Sequence, residues 1–208
     1  ENTILFSCSR DVCKAVLSAP PKAAFFNMRD VTVPDLVVDE NHDTQAAVVV
    51  VNSTHAPLRD WSIRVSALAN TPPGRGQASS ELPIIQAMTV RKVAFRVTAS
   101  FLKPMGSYPL RLELRDEKQR LMDTATLVLR VVGKSSPRRE TFISAIDGST
   151  QYYAVNPQLQ DVIERLHAER PALLFSLHGA GVEAIGQASA YAPKRWATLV
   201  APTNRRPY

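Results

Sequence analysis

Apolar and polar residues alternate in several separate runs between Val31 and Val132, and this pattern limits the possible fold more than any other feature of the chain. Successive side chains of a strand point to opposite faces, so each run predicts a strand with one buried and one solvated face. The runs cover residues 47–51, 61–65, 93–97, 110–114 and 125–131. Strands at this spacing predict a β-sandwich of about seven strands in two antiparallel sheets.

Turn-forming residues separate these runs, at 39–43, 71–80, 103–106 and 116–118. The Cys and Trp landmarks of antibody domains are absent, so the predicted sandwich is immunoglobulin-like in architecture only. The segment 133–139 is polar and contains Gly133 and Pro137, which is typical of a domain boundary. We therefore predict one domain over 1–133 and a second over 134–208.

The pattern changes after the boundary. Asp147-Gly148 predicts a two-residue hairpin turn, and apolar residues at helical spacing predict a helix near 159–166. A continuous apolar run, 171–177, predicts a buried strand, which is followed by a predicted helix over 183–191 and a strand over 196–201. Strand, helix and strand in this order predict a parallel βαβ unit.

His178-Gly179-Ala180-Gly181 lies between the apolar strand and the second helix. Flexible backbone where a strand meets a helix can present uncrowded amide N–H groups to an anion. Two chemistries fit this loop. One is the oxyanion hole of a serine hydrolase, and the other is a dinucleotide loop.

The dinucleotide interpretation rests on Gly179-x-Gly181-x-x-Ala184, which satisfies the G-x-G-x-x-G/A pattern. The acidic residue expected about twenty positions later is missing, since residues 198–208 contain none. Arg205 and Arg206 could instead meet a 2′-phosphate, so an NADP-binding protein stays an alternative.

The segment 178–181 closely resembles the His-Gly-Gly/Ala-Gly oxyanion segment of α/β-hydrolases. The order of hairpin, apolar strand, glycine loop, helix and strand over about 138–208 resembles the opening of their prolyl-oligopeptidase-like and esterase branches. The resemblance implies a fold of an all-β immunoglobulin-like sandwich followed by the first part of an α/β-hydrolase sheet. It also implies that the backbone amides of Gly179, Ala180 and Gly181 face the oxyanion, while His178 shapes the loop.

The chain departs from that family in one respect that matters for activity: no Gly-x-Ser-x-Gly occurs, and neither Ser176 nor Ser189 has that context. We therefore predict the N-terminal portion of a serine hydrolase, an esterase or peptidase acting on a small ester or peptide. The nucleophile, acid and base are expected C-terminal of this chain, in a missing part that would cover the strand 196–201. The alternative is a non-enzymatic β-sandwich binding module with a degenerate hydrolase-like remnant.

Composition limits the partners. The formal charge is +6, but the basic residues are spread over both predicted domains without interleaved aromatics, so no nucleic-acid partner is expected. No window approaches the ~18 consecutive apolar residues of a membrane span. No metal or cofactor is expected, and a homodimer is a possible assembly.

Cys8 and Cys13 could form a local disulfide and Asn52-Ser53-Thr54 matches a glycosylation acceptor, which together favour an exported protein. His42, His55 and His167 are expected to be solvated.

Overall fold

The computed structural model describes residues 22–40, 43–67, 77–98, 104–159, 172–177, 179 and 181–203. The strands and the helix, in chain order, are β1 (Ala24–Thr32), β2 (Asp35–Val37), β3 (Thr44–Asn52), β4 (Ser62–Ala67), β5 (Ala78–Glu81), β6 (Thr89–Val97), β7 (Gly106–Arg115), β8 (Leu121–Val132), β9 (Arg138–Ile143), β10 (Thr150–Asn156), β11 (Ala172–Phe175), α1 (Ala184–Ser189) and β12 (Ala197–Pro202).

Two sheets built from the first eight strands pack face to face. One has the order β1-β3-β6 and the other the order β2-β8-β7-β4-β5. Pairing is antiparallel except between β2 and β8, which are parallel from Asp35 opposite Arg130 to Val37 opposite Val132. These two sheets form the sandwich of the molecule.

The sandwich core is one apolar cluster to which both sheets contribute. Leu110, Leu112 and Leu114 alternate inward along β7 and are fully buried, while Phe95 enters from the opposite sheet. At roughly 25 cal/mol per Å² of apolar surface removed from water, each such side chain contributes about 1.5–3 kcal/mol to folding. Alternation along the strands therefore places the core, as the sequence pattern predicts.

A third sheet of four strands has the order β11-β12-β10-β9. The hairpin β9–β10 is antiparallel, and β12 runs antiparallel to β10 from Pro202 opposite Tyr153. β11 and β12 are parallel, as the order strand, helix, strand predicts. The connecting helix α1 buries Ala184 and Ala188 against one face of this sheet, beside Leu199 and Ala201.

The prediction of an α/β fold for the second part is wrong. Strands make up 57% of the described residues and helix 4%, in three sheets. An α/β sheet needs helices over both of its faces. In the part of the chain that the structure describes, one six-residue helix covers one face of the third sheet. The predicted helix near 159–166 lies, except for Leu159, outside the described residues.

The helix over 183–191 is shorter than predicted, beginning at Ala184 and ending at Ser189. Its N-cap residue Glu183 makes no side-chain capping hydrogen bond, and its first turn contains no acidic residue. A helix this short depends on packing rather than on its own hydrogen bonds. Small alanines on one face allow that close packing against the sheet.

Polar contacts join the sandwich to the third sheet. The buried Asp35 carboxylate, on β2, accepts a hydrogen bond from the backbone N–H of Arg139 at 2.9 Å. It also lies 3.7 Å from the Arg130 guanidinium and 3.9 Å from that of Arg139. The Thr141 hydroxyl donates to the carbonyl of Gln45 at 2.6 Å. Strand β9 is therefore held to the edge of the sandwich by side chains as well as by chain connectivity.

Candidate functional site

The predicted glycine loop leaves the third sheet at the carboxyl end of β11. The backbone N–H of Ser176 still donates to the carbonyl of Val200, at 2.9 Å, so pairing with β12 continues one residue beyond β11. The chain then turns, and the N–H of Val182 donates to the carbonyl of Gly179 at 3.3 Å. The loop is therefore a turn between a parallel strand and a short helix.

Gly181 has a φ of +80°, a backbone conformation that residues with a Cβ rarely adopt. A Cβ placed at Gly179 or at Gly181 would meet no heavy atom within 4 Å, so the backbone on this side of the turn borders open space. The turn hydrogen bond uses the amide of Val182, not that of Gly181. The geometry therefore leaves room for an approaching group in front of the two glycines.

Two of the four predicted site residues, His178 and Ala180, lie outside the described residues. The same holds for Cys8 and Cys13, for Arg205 and Arg206, and for His42 and His167. Gly179 and Gly181 are thus the predicted loop residues that the structure places. The roles assigned to all four stay predictions.

Ser176, at the end of β11, is occupied by structural hydrogen bonds. Its side chain faces α1, where the Gln187 amide donates to Oγ at 2.7 Å and the Tyr191 hydroxyl lies 3.1 Å away. It is also buried. Because a serine nucleophile needs a base within hydrogen-bond reach and access to substrate, this geometry supports a structural role.

Asn52 is buried rather than displayed as a glycan acceptor. Its side-chain nitrogen donates to the carbonyls of Ala56 at 2.9 Å, Ile85 at 3.2 Å and Gln86 at 2.8 Å. Its Oδ1 accepts from the N–H and the hydroxyl of Thr54. In the folded chain the glycosylation triplet is therefore a turn stabilised by an amide side chain.

The sequence reasoning missed an apolar cleft on the face of the third sheet that α1 does not cover. Its volume is about 540 Å³. The apolar and aromatic residues that line it are Phe142, Ile146, Tyr152, Tyr153, Phe175, Val200 and Pro202. We call this set the aromatic cleft. It brings together four separate parts of the chain, and no local motif marks it.

Strand β11 was predicted to be buried on both faces, and that is wrong for the described structure. Leu173 and Phe175 are 59% and 63% exposed, and Leu177 is 79% exposed. Their neighbours Leu174 and Ser176 face α1 instead. The exposed face of this apolar run contributes Phe175 to the lining of the aromatic cleft.

Tyr153 combines an aromatic ring in the cleft lining with a hydroxyl that is hydrogen-bonded within the protein. Its ring centroid lies 5.9 Å from that of Phe142, and its hydroxyl donates to Glu140 at 2.8 Å. Burial, followed by the hydrogen bond and the negative charge of Glu140, raises the pKa of Tyr153 to about 12. The Arg138 guanidinium opposes this shift, while holding Glu140 at 2.8 Å. The phenol is therefore neutral at physiological pH.

Neither a metal site nor a membrane-spanning helix was found. Over the described ranges, no three His, Cys, Asp or Glu side chains group as metal ligands would. None of the helical structure described there has the length and apolar character to cross a bilayer.

Comparison with known proteins gives no family. No family model matches the chain, and no curated protein matches it either. Among solved structures, the chain is similar to the exo-chitosanase CsxA of Amycolatopsis orientalis, with 15% identity, a TM-score of 0.36, and coverage of 64% of this chain and 15% of that one. It is also similar to a calcium-binding mutant of β-glucuronidase 2 from Bacteroides uniformis, with 13% identity, a TM-score of 0.40, and coverage of 74% and 18%.

A thermostable esterase shares 15% identity and covers 84% of this chain and 57% of its own, with a TM-score of 0.24. The chain thus spans less than two thirds of each of these proteins. All three are hydrolases by name, and scores this low carry no argument about activity.

Proposed function

We propose that this chain is the N-terminal portion of a serine hydrolase, an esterase or peptidase, and that it supplies oxyanion-stabilising backbone amides from the loop 178–181. Residues 1–133 would form the supporting domain and residues 134–208 the part that carries the loop. The nucleophile, acid and base would come from polypeptide outside these 208 residues. The substrate would be a small ester or peptide.

The observation that carries the proposal is the open turn at Gly179 and Gly181. Backbone amides stabilise an oxyanion when they point into free space and are held by rigid structure. The Gly181 φ of +80° and the open space where a Cβ would lie at both glycines support the first requirement, because they leave room for a substrate group beside this backbone. The second is met by β11, which pairs with β12 up to Ser176, and by α1, whose Ala184 is fully buried.

The proposal also agrees with the hydrogen bonding of Ser176, the serine at the end of β11. Ser176 is hydrogen-bonded to Gln187 and Tyr191, so it does not compete for the role of nucleophile. In such a hydrolase, this chain would supply the amides that stabilise the oxyanion, and the rest of the protein would supply the nucleophile, acid and base.

Substitution of Gly181 tests this proposal in the natural gene product that contains this chain. Gly181→Ala would force a Cβ into a left-handed conformation and displace the amide. We expect kcat for p-nitrophenyl acetate hydrolysis to fall by roughly 10²–10³-fold, which is the usual effect of losing one oxyanion donor. Fluorophosphonate should label the natural gene product and leave the 208-residue chain unlabelled.

Gly148→Ala is a matched control. Gly148 also has a positive φ, +68°, and a Cβ there would also meet nothing within 4 Å. Both substitutions therefore carry a similar backbone penalty of roughly 1–2 kcal/mol, but only one lies in the loop. Equal activity losses in the two variants, or absence of fluorophosphonate labelling of folded natural protein, would refute the proposal.

A binding module is the second candidate function, and the aromatic cleft favours it. This cleft needs no catalytic group in order to bind a ligand. A folded natural protein that fluorophosphonate leaves unlabelled, and that still binds an apolar ligand, would favour this candidate.

A further inference from the structure

We propose that the aromatic cleft is a binding site for a small, uncharged ligand that carries an aromatic ring or a branched alkyl group. This inference does not depend on the hydrolase proposal, because binding is measured without catalysis. It rests on where the cleft residues lie, on the size of the cleft and on its lack of charge.

The cleft residues converge because of strand register. Tyr153 pairs with Pro202 across β10 and β12, and Phe175 pairs with Val200 across β11 and β12. Directly opposed residues point to the same face, so these four side chains share the face away from α1. Phe142 joins them from β9, with its ring tilted by 48° to that of Tyr153. Ile146, in the hairpin turn, is 83% exposed and closes one end.

The size of the cleft suits a small molecule. A volume of about 540 Å³ lies within the ~300–1,000 Å³ range of ligand pockets. Ten residues line it, whereas a stable protein–protein interface uses roughly 20–30 residues a side. Single exposed apolar side chains are ordinary on protein surfaces, whereas several that converge around one concavity mark a ligand groove or a macromolecular contact. A small molecule therefore fits this surface better than a second copy of the chain.

Charge complementarity selects an uncharged ligand. Among the described residues, no acidic or basic side chain lines the cleft. Two tyrosines, Tyr152 and Tyr153, are among the lining residues, and the Tyr153 hydroxyl donates a hydrogen bond to Glu140. An ionic ligand would lose its hydration without finding a counter-charge, and that costs several kcal/mol.

Polar groups at the rim are used within the protein. The Gln151 amide donates to the Ser149 hydroxyl at 2.8 Å, and the Thr203 hydroxyl donates to the carbonyl of Tyr152 at 2.5 Å. The interior therefore offers mainly aromatic and aliphatic contacts. Ligand rings would pack with Phe142 and Tyr153 at centroid distances of about 4.5–7 Å.

A fluorescence titration with N-phenyl-1-naphthylamine, an uncharged aromatic probe, tests the site on the whole chain. We expect saturable binding of one probe per chain, with increased and blue-shifted emission. Ile146→Asp and Phe175→Asp should each weaken binding at least tenfold, because each places a carboxylate against the apolar probe. Both side chains are exposed, so the fold should survive, and circular dichroism verifies this.

Val128→Asp is the matched control. Val128 is a similarly exposed apolar residue, on β8 of the sandwich and remote from the cleft lining. Its variant should bind the probe like the original chain. Two results would overturn the proposal. One is equal binding by all variants, and the other is a dimer in sedimentation that Ile146→Asp dissociates, which would make the cleft a contact between copies.

Discussion

Asn52 illustrates a residue whose sequence context predicts one role and whose surroundings give it another. The triplet 52–54 matches a glycan acceptor, yet the Asn52 side chain is 1% exposed and donates to three carbonyls. Those carbonyls belong to the turn after β3 and to the segment before β6. A short motif defines residue types, whereas burial depends on residues thirty positions away. That is why the sequence could not exclude the acceptor role.

Asn52→Ala should destabilise the protein strongly. The substitution removes the hydrogen bonds from the Asn52 side chain to the carbonyls of Ala56, Ile85 and Gln86, and those that Asn52 accepts from Thr54. Since a net hydrogen bond contributes about 0.5–1.5 kcal/mol, we expect the loss of this set to lower the free energy of unfolding by about 3 kcal/mol, measured by urea denaturation. Asn27→Ala is the control, because the Asn27 side chain accepts one exposed hydrogen bond from Arg29. A loss below 1 kcal/mol for Asn52→Ala would contradict the structural role.

At the scale of strands, alternation predicted where strands occur better than it predicted which face of each strand is buried. The five runs noted in the sequence lie in or beside β3, β4, β6, β7 and β8. In β3, however, Ala46, Val48 and Val50 enter the sandwich core, whereas the sequence pattern was assigned to 47, 49 and 51. Both parities of this strand are apolar and largely buried, so periodicity could not decide which face points inward.

Strands β2 and β5 escaped the sequence analysis for a different reason. They have three and four residues, which is too short to show a period. The apolar run in β11 shows the reverse problem, because continuous hydrophobicity predicts burial on both faces even where one face lines a cleft. Sequence periodicity therefore predicted five of the longer strands, missed the nine-residue β1, and leaves short edge strands to tertiary contacts.

The turn between β7 and β8 depends on Asp116. Its buried carboxylate accepts backbone hydrogen bonds from Lys118 at 3.0 Å and Arg120 at 2.8 Å, and it pairs with the Arg120 guanidinium at 2.6 Å. Burial alone would raise the pKa of Asp116, but these hydrogen bonds and the positive charge of Arg120 outweigh burial and lower it. The ionised carboxylate therefore stabilises this hairpin.

Asp116→Asn should lower the free energy of unfolding at pH 7. The difference in this free energy between the variant and the original chain should be smaller at pH 3. A carboxyl whose folded-state pKa is depressed contributes stability above its unfolded-state pKa, here 3.8, and loses it as pH falls through the folded-state pKa. Urea midpoints at pH 7 and pH 3 measure this. Glu117→Gln removes a charge from the same turn without removing these hydrogen bonds and is the control. A difference that stays constant between the two pH values would contradict the assignment.

At the scale of the whole molecule, the sequence predicted that a sheet and a glycine turn follow a set of sandwich strands. It did not predict the surfaces that those units create together. The aromatic cleft needs Phe142, Tyr153, Phe175 and Val200 side by side, and that requires the registers of β9, β10, β11 and β12. Likewise, nothing near Asp35 in sequence indicates Arg139 as its partner, since 104 positions separate them. Long-range register is set by packing, which a local pattern does not contain.

The Asp35 cluster couples the sandwich to the third sheet and extends toward the proposed site. Asp35 contacts Arg130 on β8 and Arg139 on β9, and Arg139 in turn lies 3.6 Å from Glu183, the N-cap residue of α1. The last of these pairs is exposed and weak, because the Glu183 side chain is 72% exposed. The Asp35–Arg130 and Asp35–Arg139 pairs share a carboxylate that is 2% exposed. These two pairs should therefore contribute most of the coupling between the sandwich and the third sheet.

Asp35→Ala should loosen the third sheet from the sandwich before it unfolds the sandwich itself. The substitution leaves the Arg139 backbone N–H without its acceptor and removes the counter-charge of two arginines, at a cost of roughly 2–3 kcal/mol. Hydrogen exchange measured by mass spectrometry should therefore rise at residues 138–143 and remain low at 106–115, within the sandwich core. Asp43→Ala, which removes an exposed pair with Arg96 at 3.6 Å, is the control and should change neither segment. If exchange at 138–143 stays unchanged in Asp35→Ala, pairing with β10 and the Thr141 contact with Gln45 are enough to hold β9, and the buried carboxylate does not transmit stability from the sandwich to the third sheet.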